Sequence, residues 1–175
     1  WAEYADGKVT KEELNRQRYL YPLEAVGAGD STLAKAYERD ALTMIPTKSK
    51  LMPHAREVLE YLSGKYNLYI LSNGFKELQS HKMRSSGIDE YFKKVVLSDD
   101  IGILKPWPEI FHFALSTTQS ELNNSLMIGD SWENDIVGAA GVGMHQVFYN
   151  LSGRTDLPFA PTYQITDLKD LFNFL

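Results

Sequence analysis

A chain of 175 residues, 43% apolar and 23% charged, has the composition of one folded domain with at most a small appendage, which excludes disorder and repeat arrays. Its net charge of −5, from 18 Lys and Arg against 23 Asp and Glu, gives no field that gathers a nucleic-acid polymer, so a small anionic ligand needs a local cluster of positive charge. The absence of Cys removes disulfides, thiolate zinc sites and thiol nucleophiles, and with neither a signal-like start nor an apolar run near the roughly 18 residues of a membrane helix, a cytoplasmic protein without a membrane partner is expected.

The first fifty residues read as helices. Thr10 followed by Glu13 is a capping-box pattern that opens a helix carrying Leu14, Tyr19 and Leu20 and ending before Gly27. A second helix is predicted from Ser31 to Thr43, with Leu33, Ala36, Tyr37, Ala41 and Leu42 on its buried side. After Pro46 the pattern changes. A short helix from Pro53 through Val58, Leu59 and Leu62 stops at Gly64, and the apolar run Leu68-Tyr69-Ile70-Leu71 ends in Ser72-Asn73-Gly74. The unit then recurs: helix Phe75–Ser86 and strand Val95-Val96-Leu97, helix Pro108–Ser116 and strand Leu126-Met127-Ile128, helix Asn134–Ala140 and strand Gln146–Tyr149. A weak strand at Tyr163–Ile165 and a helix from Asp167 close the chain. Short apolar strands alternating with amphipathic helices predict a doubly wound α/β domain, a parallel sheet covered on both faces.

Ligands of such sheets bind beyond the carboxyl ends of the strands. Three segments fall there: Ser72-Asn73-Gly74, then Ser98-Asp99-Asp100 with Lys105 shortly after, and Gly129-Asp130-Ser131. Asp130 follows a buried strand, with Gly129 permitting close backbone approach, and suits a hard cation such as Mg²⁺, while Asp135 is near enough to support the same ion. The structural alternative is that Asp130 caps a helix and Asp135 complements its dipole. Lys105 precedes a helix, where its charge opposes the dipole, and suits an anion or developing negative charge; the alternative is an ordinary solvated lysine. Ser72-Asn73-Gly74 is either a plain turn or a cradle for phosphate oxygens. His54, His81, His112 and His145 lack ligand spacing, the spacing of Trp107, Phe111 and Phe113 indicates core packing, and Asp99-Asp100 is ambiguous between site and solvated turn. Taken together, the order of these groups is that of a magnesium-dependent phosphoryl-transfer site.

The segments Leu68–Gly74, Lys105–Phe111 and Met127–Asp135 resemble the second, third and fourth motifs of the haloacid dehalogenase-like hydrolases, within a helical-cap phosphatase subgroup similar to pyrimidine 5′-nucleotidases. The resemblance implies that Ser72 hydrogen-bonds the transferring phosphoryl group and that Lys105 stabilises its charge. It also implies that Asn73 and Gly74 line the phosphate site, that Asp130 holds Mg²⁺ and that Asp135 supports the metal or Lys105. On the same basis residues 1–48 form part of a helical cap and 49–175 the α/β core lacking its first strand. The expected substrate is a small phosphorylated metabolite, such as a nucleoside 5′-monophosphate.

The family's first motif, Asp-x-Asp, supplies the nucleophile that forms an aspartyl-phosphate and a general acid/base. None of the eleven aspartates of this chain stands two residues from another, so no nucleophile lies within it. The chain also starts at Trp1 rather than Met, and the expectation is that the motif lies upstream and that the 175 residues alone are inactive. The competing readings are a non-catalytic regulatory or interaction domain, a 2-haloacid dehalogenase, disfavoured by the intact Gly129-Asp130, and a phosphosugar mutase.

Overall fold

The structure, a computed structural model, describes residues 2–5 and 7–175, so the reading attached to Trp1 lies outside the described residues. In chain order these form α1 (Ala2–Ala5), α2 (Lys11–Ala25), α3 (Ser31–Met44), α4 (Ala55–Ser63), β1 (Leu68–Ser72), α5 (Lys76–Ser86) and β2 (Phe92–Leu97). There follow α6 (Pro108–Thr118), β3 (Leu126–Gly129), a π-helical turn (Trp132–Val137), α7 (Gly138–Gly141), β4 (His145–Tyr149), β5 (Tyr163–Ile165) and 3₁₀ turns over Leu168–Asn173. No described helix is long and apolar enough to cross a membrane. The chain divides into two compact units, Trp1–Ser49 with Glu77–Ser86, and Lys50–Lys76 with Gly87–Leu175.

In the first unit side-chain caps set the helix starts. Thr10 Oγ1 accepts the Glu13 N–H (3.1 Å), but the Glu13 carboxylate turns to Arg16 and Gln17, so only half of the predicted box forms. Asp30 opens α3 by accepting from the N–H groups of Thr32 (2.7 Å) and Leu33 (3.4 Å). The buried side of α3 differs from the prediction. Ala34 is its buried residue, whereas Leu33 and Tyr37 are 40% and 59% exposed. A small residue marks the close approach of α2, which buries Leu14 and Leu20; the bulkier neighbours stay exposed.

The second unit is α/β, and all its strand pairings are parallel: β1 with β2, and β3 with β4 with β5. Alternate side chains enter opposite layers. On one face Val147, Tyr149 and Ile165 meet Val58 and Leu62 of α4 and Leu171, joined by Leu68, Leu126 and Ile128. On the other, Leu71 and Met127 pack against Ile110 and Phe111 of α6, Ala139 and Met144. β1 and β3 therefore share both layers, yet among the described residues they do not hydrogen-bond to each other, and one edge of each has no strand beside it. Two predicted elements change character. The stretch read as helix Asn134–Ala140 is a π-helical turn followed by α7, and the terminal helix is a run of 3₁₀ turns capped by Asp167. Phe111 is fully buried as read, but Trp107, at the N-cap of α6, is 49% exposed: Pro108 begins the helix, so the residue before it stays on the loop.

Candidate active site

At the end of β1 the Ser72 Oγ accepts the Gly74 N–H (3.0 Å), a turn that reverses the chain before α5. The neighbouring Asn73 reaches across to the loop before α6. Its Oδ1 accepts the Lys105 N–H (2.8 Å) and its Nδ2 donates to the Lys105 carbonyl (3.0 Å), so one amide holds the main chain of Lys105 on both sides. The Lys105 Nζ donates to the Leu71 carbonyl of β1 (2.9 Å) and to Asp135 Oδ1 (2.5 Å). These two side chains are 10% and 6% exposed, so the ion pair is buried. The other carboxylate oxygen, Asp135 Oδ2, accepts the Ser131 N–H (3.0 Å).

Gly129 makes this possible. A Cβ there would lie 2.3 Å from Asp135 Oδ2, so only glycine lets the strand end pass beneath that carboxylate. Gly138 plays a similar part at the start of α7, where a Cβ would stand 2.6 Å from the Phe111 ring and 3.0 Å from Pro106 Cα. Sequence reading left Gly138 unremarked, because a glycine within a helical pattern carries no sign of what it faces.

Asp130 is exposed at the end of β3, and its carboxylate has no hydrogen bond or ion pair with the described residues. The cap of the following turn is Ser131, whose Oγ accepts the Asn134 N–H (3.3 Å) and Nδ2 (3.0 Å). Asp130 is therefore not the cap of this turn. Asp99 and Asp100 take the opposite role: Asp99 Oδ2 accepts the Lys76 N–H at the start of α5 (3.1 Å) and Asp100 Oδ2 accepts the Leu97 N–H (3.0 Å). Both hold backbone N–H groups, one of them 23 residues away in sequence. Among the described residues no three His or acidic side chains gather as metal ligands.

Beyond β4, a group that sequence reading missed lies against the turn that follows Asp130. Arg154 Nη1 donates to Glu133 Oε1 (2.6 Å), and its guanidinium lies over the Trp132 ring (5.6 Å). The guanidinium holds the Glu133 carboxyl below the usual glutamate range, and that carboxylate raises Arg154 in turn. An arginine in a polar loop gives no sequence signal of such a contact.

A hydroxyl, a buried ammonium–carboxylate pair and a free carboxylate thus stand at the carboxyl ends of parallel strands, where an α/β sheet binds its ligands. The chain is 29% identical over its full length to YfnB of Bacillus subtilis (strain 168), named as a HAD-hydrolase, and spans 74% of that protein. It is likewise 29% identical over its full length to the pyrimidine 5′-nucleotidase YjjG of Escherichia coli (strain K12), spanning 77% of it. The solved structure of Bacillus subtilis YfnB, described as bound to magnesium, superposes with a TM-score of 0.87 at 27% identity, covering 99% of this chain and 76% of that one. A 2-haloacid dehalogenase from Pseudomonas syringae pv. Tomato DC3000 superposes with a TM-score of 0.69 at 27% identity, covering 92% and 69%. The profile of haloacid dehalogenase-like hydrolases matches residues 4–143, and the chain belongs to that family of hydrolases.

Proposed function

We propose that the complete protein is a Mg²⁺-dependent phosphoric monoester hydrolase of a small phosphorylated metabolite, with a nucleoside 5′-monophosphate as the leading candidate. The observation that carries this reading is the division of labour among the strand ends: Lys105 is buried and fixed by Asn73 and Asp135, whereas Asp130 is exposed and has no partner among the described residues. A fixed ammonium serves charge that develops on a transferring phosphoryl group. The Ser72 hydroxyl, whose oxygen accepts the Gly74 N–H, has its own proton to donate to the same group. A single free carboxylate fits Mg²⁺, which keeps several waters and takes one or two protein carboxylates with substrate oxygens. Asp130 would hold the ion, and Asp135, with both oxygens engaged, would act on it only through Lys105 and the Ser131 N–H. When bound, the ion would neutralise phosphate charge.

The nucleophile in this reading is an aspartate upstream of the present chain, on a strand that enters between β1 and β3. Support comes from those two strands, which contribute to the same two core layers but do not pair with each other among the described residues. The carboxylate would form a bond to phosphorus as the ester oxygen leaves, and water would then hydrolyse the aspartyl-phosphate. The YjjG relationship supports the nucleotide class, and the magnesium in the YfnB structure supports the cofactor.

The test is turnover of p-nitrophenyl phosphate and a panel of nucleoside monophosphates by the N-terminally extended protein, with and without Mg²⁺. Asp130→Asn and Lys105→Ala are each expected to lower the metal-dependent rate by about 100-fold or more. The 175-residue chain alone is expected to be inactive. The dehalogenase neighbour supplies the competing reading, and metal-independent release of halide from a 2-haloacid would establish it instead.

A further inference from the structure

The segment 150–162 between β4 and β5 has no regular structure, yet its first residues are tightly organised. Asn150, 3% exposed, donates from Nδ2 to the Arg154 carbonyl (2.8 Å) and accepts the Arg154 N–H at Oδ1 (2.9 Å), with Gly153 at φ +67° closing the turn. One buried amide therefore fixes both sides of Arg154's main chain. From there the guanidinium reaches Glu133 (2.6 Å) and Asp156 (3.4 Å) and lies over Trp132. Trp132 is itself 3% exposed, wedged against Phe148 (5.2 Å between ring centroids) and Phe159 (4.9 Å).

An exposed ion pair ordinarily contributes little, because two long side chains must be ordered to make it. Here one partner is ordered beforehand by Asn150 and by the aromatic ring beneath it. Its target is also particular. Trp132 and Glu133 open the π-helical turn, between Asp130 at the end of β3 and Asp135, which holds Lys105. The chain leaving β3 is thus gripped on one side by Asp135, through the Ser131 N–H, and on the other by Arg154.

We infer that Arg154 is a positioning residue that clamps the Trp132–Glu133 segment and so fixes the aim of the Asp130 carboxylate at its cation. The inference rests on the reading of Asp130 as the Mg²⁺ ligand. Groups that orient a metal ligand from outside commonly change metal affinity by about 10- to 100-fold when removed.

The test is calorimetric titration of the complete protein with Mg²⁺ alone, beside thermal unfolding of each variant. Arg154→Ala is expected to weaken Mg²⁺ binding by about tenfold. Glu133→Gln, which keeps the side chain's shape, is expected to weaken it in the same direction, and the swap of Glu133→Arg with Arg154→Glu to recover part of the loss. A lowered Tm with unchanged Mg²⁺ affinity in both single variants would mean a merely structural arginine and would overturn the inference. Asp130→Asn is the control that separates the two readings: if it leaves Mg²⁺ binding intact, the metal assignment fails and the inference falls with it. If it abolishes binding while the Arg154 and Glu133 variants bind normally, only the clamp is refuted.

Discussion

Removing the carboxylate of Asp135 isolates the energetics of the site without any assay of activity. In Asp135→Ala the Lys105 ammonium keeps the Leu71 carbonyl but loses its counter-charge in a place where its side chain is 10% exposed, and the Ser131 N–H loses its acceptor. Breaking a buried pair from one side costs about 3–5 kcal/mol, because the remaining charge is left uncompensated. At about 2–4 °C per kcal/mol for a chain of this size, the midpoint should fall by about 6–20 °C. Urea unfolding of the 175-residue chain, followed by tryptophan fluorescence, measures the loss directly. The same measurement on Lys105→Met and on Lys105→Met/Asp135→Ala completes a double-mutant cycle. The double variant should be more stable than Asp135→Ala alone, since it leaves no unpaired charge. A loss below about 1 kcal/mol, the level of an exposed pair, or a cycle in which the two changes simply add, would refute the description of this contact as a buried, coupled ion pair.

The remaining predictions use the same chain. Gly129→Ala must drive Asp135 off its present position, since the added Cβ would lie 2.3–2.4 Å from that side chain; it should destabilise by an amount similar to Asp135→Ala, about 3–5 kcal/mol, and the two changes should combine to less than their sum in urea unfolding. Gln119, which ends α6 at φ +53°, carries left-handed strain of about 1–2 kcal/mol that glycine relieves, less about 0.4–1 kcal/mol for glycine's freer unfolded chain. Gln119→Gly should therefore raise the urea midpoint, and an unchanged or lower midpoint would show that the αL cap costs nothing here. The Glu13 carboxyl lies below the usual glutamate range because it accepts hydrogen bonds from Arg16 first and Gln17 second. A lowered folded-state value means that its contribution is complete above the unfolded glutamate range and is lost as pH falls through the lowered value. A carboxyl NMR titration should find Glu13 depressed in the native chain and raised in Arg16→Ala.

The strands were legible as elements because each apolar run ends in polar turn residues, and those ends are where the candidate site lies. The roles proposed for Ser72, Lys105 and Asp130 rest on the resemblance of their segments to family motifs, and the structure adds that Ser131 and not Asp130 is the cap and that Asp99 and Asp100 accept backbone N–H groups. Contacts between side chain and distant main chain were not legible. Asn73 reads as half of a turn dipeptide, and nothing near it in sequence announces that its amide is matched to the peptide of Lys105. The π-helical turn was missed for a related reason. Trp132 to Val137 reads as part of a helix, and nothing in its pattern marks the wider turn, in which Asp135 pairs with Lys105 and Glu133 with Arg154, both tertiary contacts. The exposed faces of Leu33, Tyr37 and Trp107 were misread because periodicity reports which residues are apolar, without reporting whether another element covers them.

One conflict between pattern and position bears on the chemistry. Leu68-Tyr69-Ile70-Leu71 and Leu126-Met127-Ile128 are continuous apolar runs of the kind found in the middle of parallel sheets, buried on both faces. In the structure, however, every residue of β1 and β3 is only half-buried, whereas β4 is buried from Gln146 to Tyr149. Natural sequences tend to agree across levels, and where they do not, function is the usual reason. A long apolar edge left open is a hazard for aggregation, which native proteins avoid with charge, proline or bulges; neither run carries a charge or a proline on its strand. Both open edges belong to the strands whose ends carry Ser72 and Asp130, and the Lys105–Asp135 pair ties those ends together from the side. A further parallel strand set between them would resolve the burial deficit of both runs at once. Such a strand would run toward the ends that carry Ser72 and Asp130, so the sheet, and not the motif order alone, supports the proposed placement of an aspartate nucleophile there.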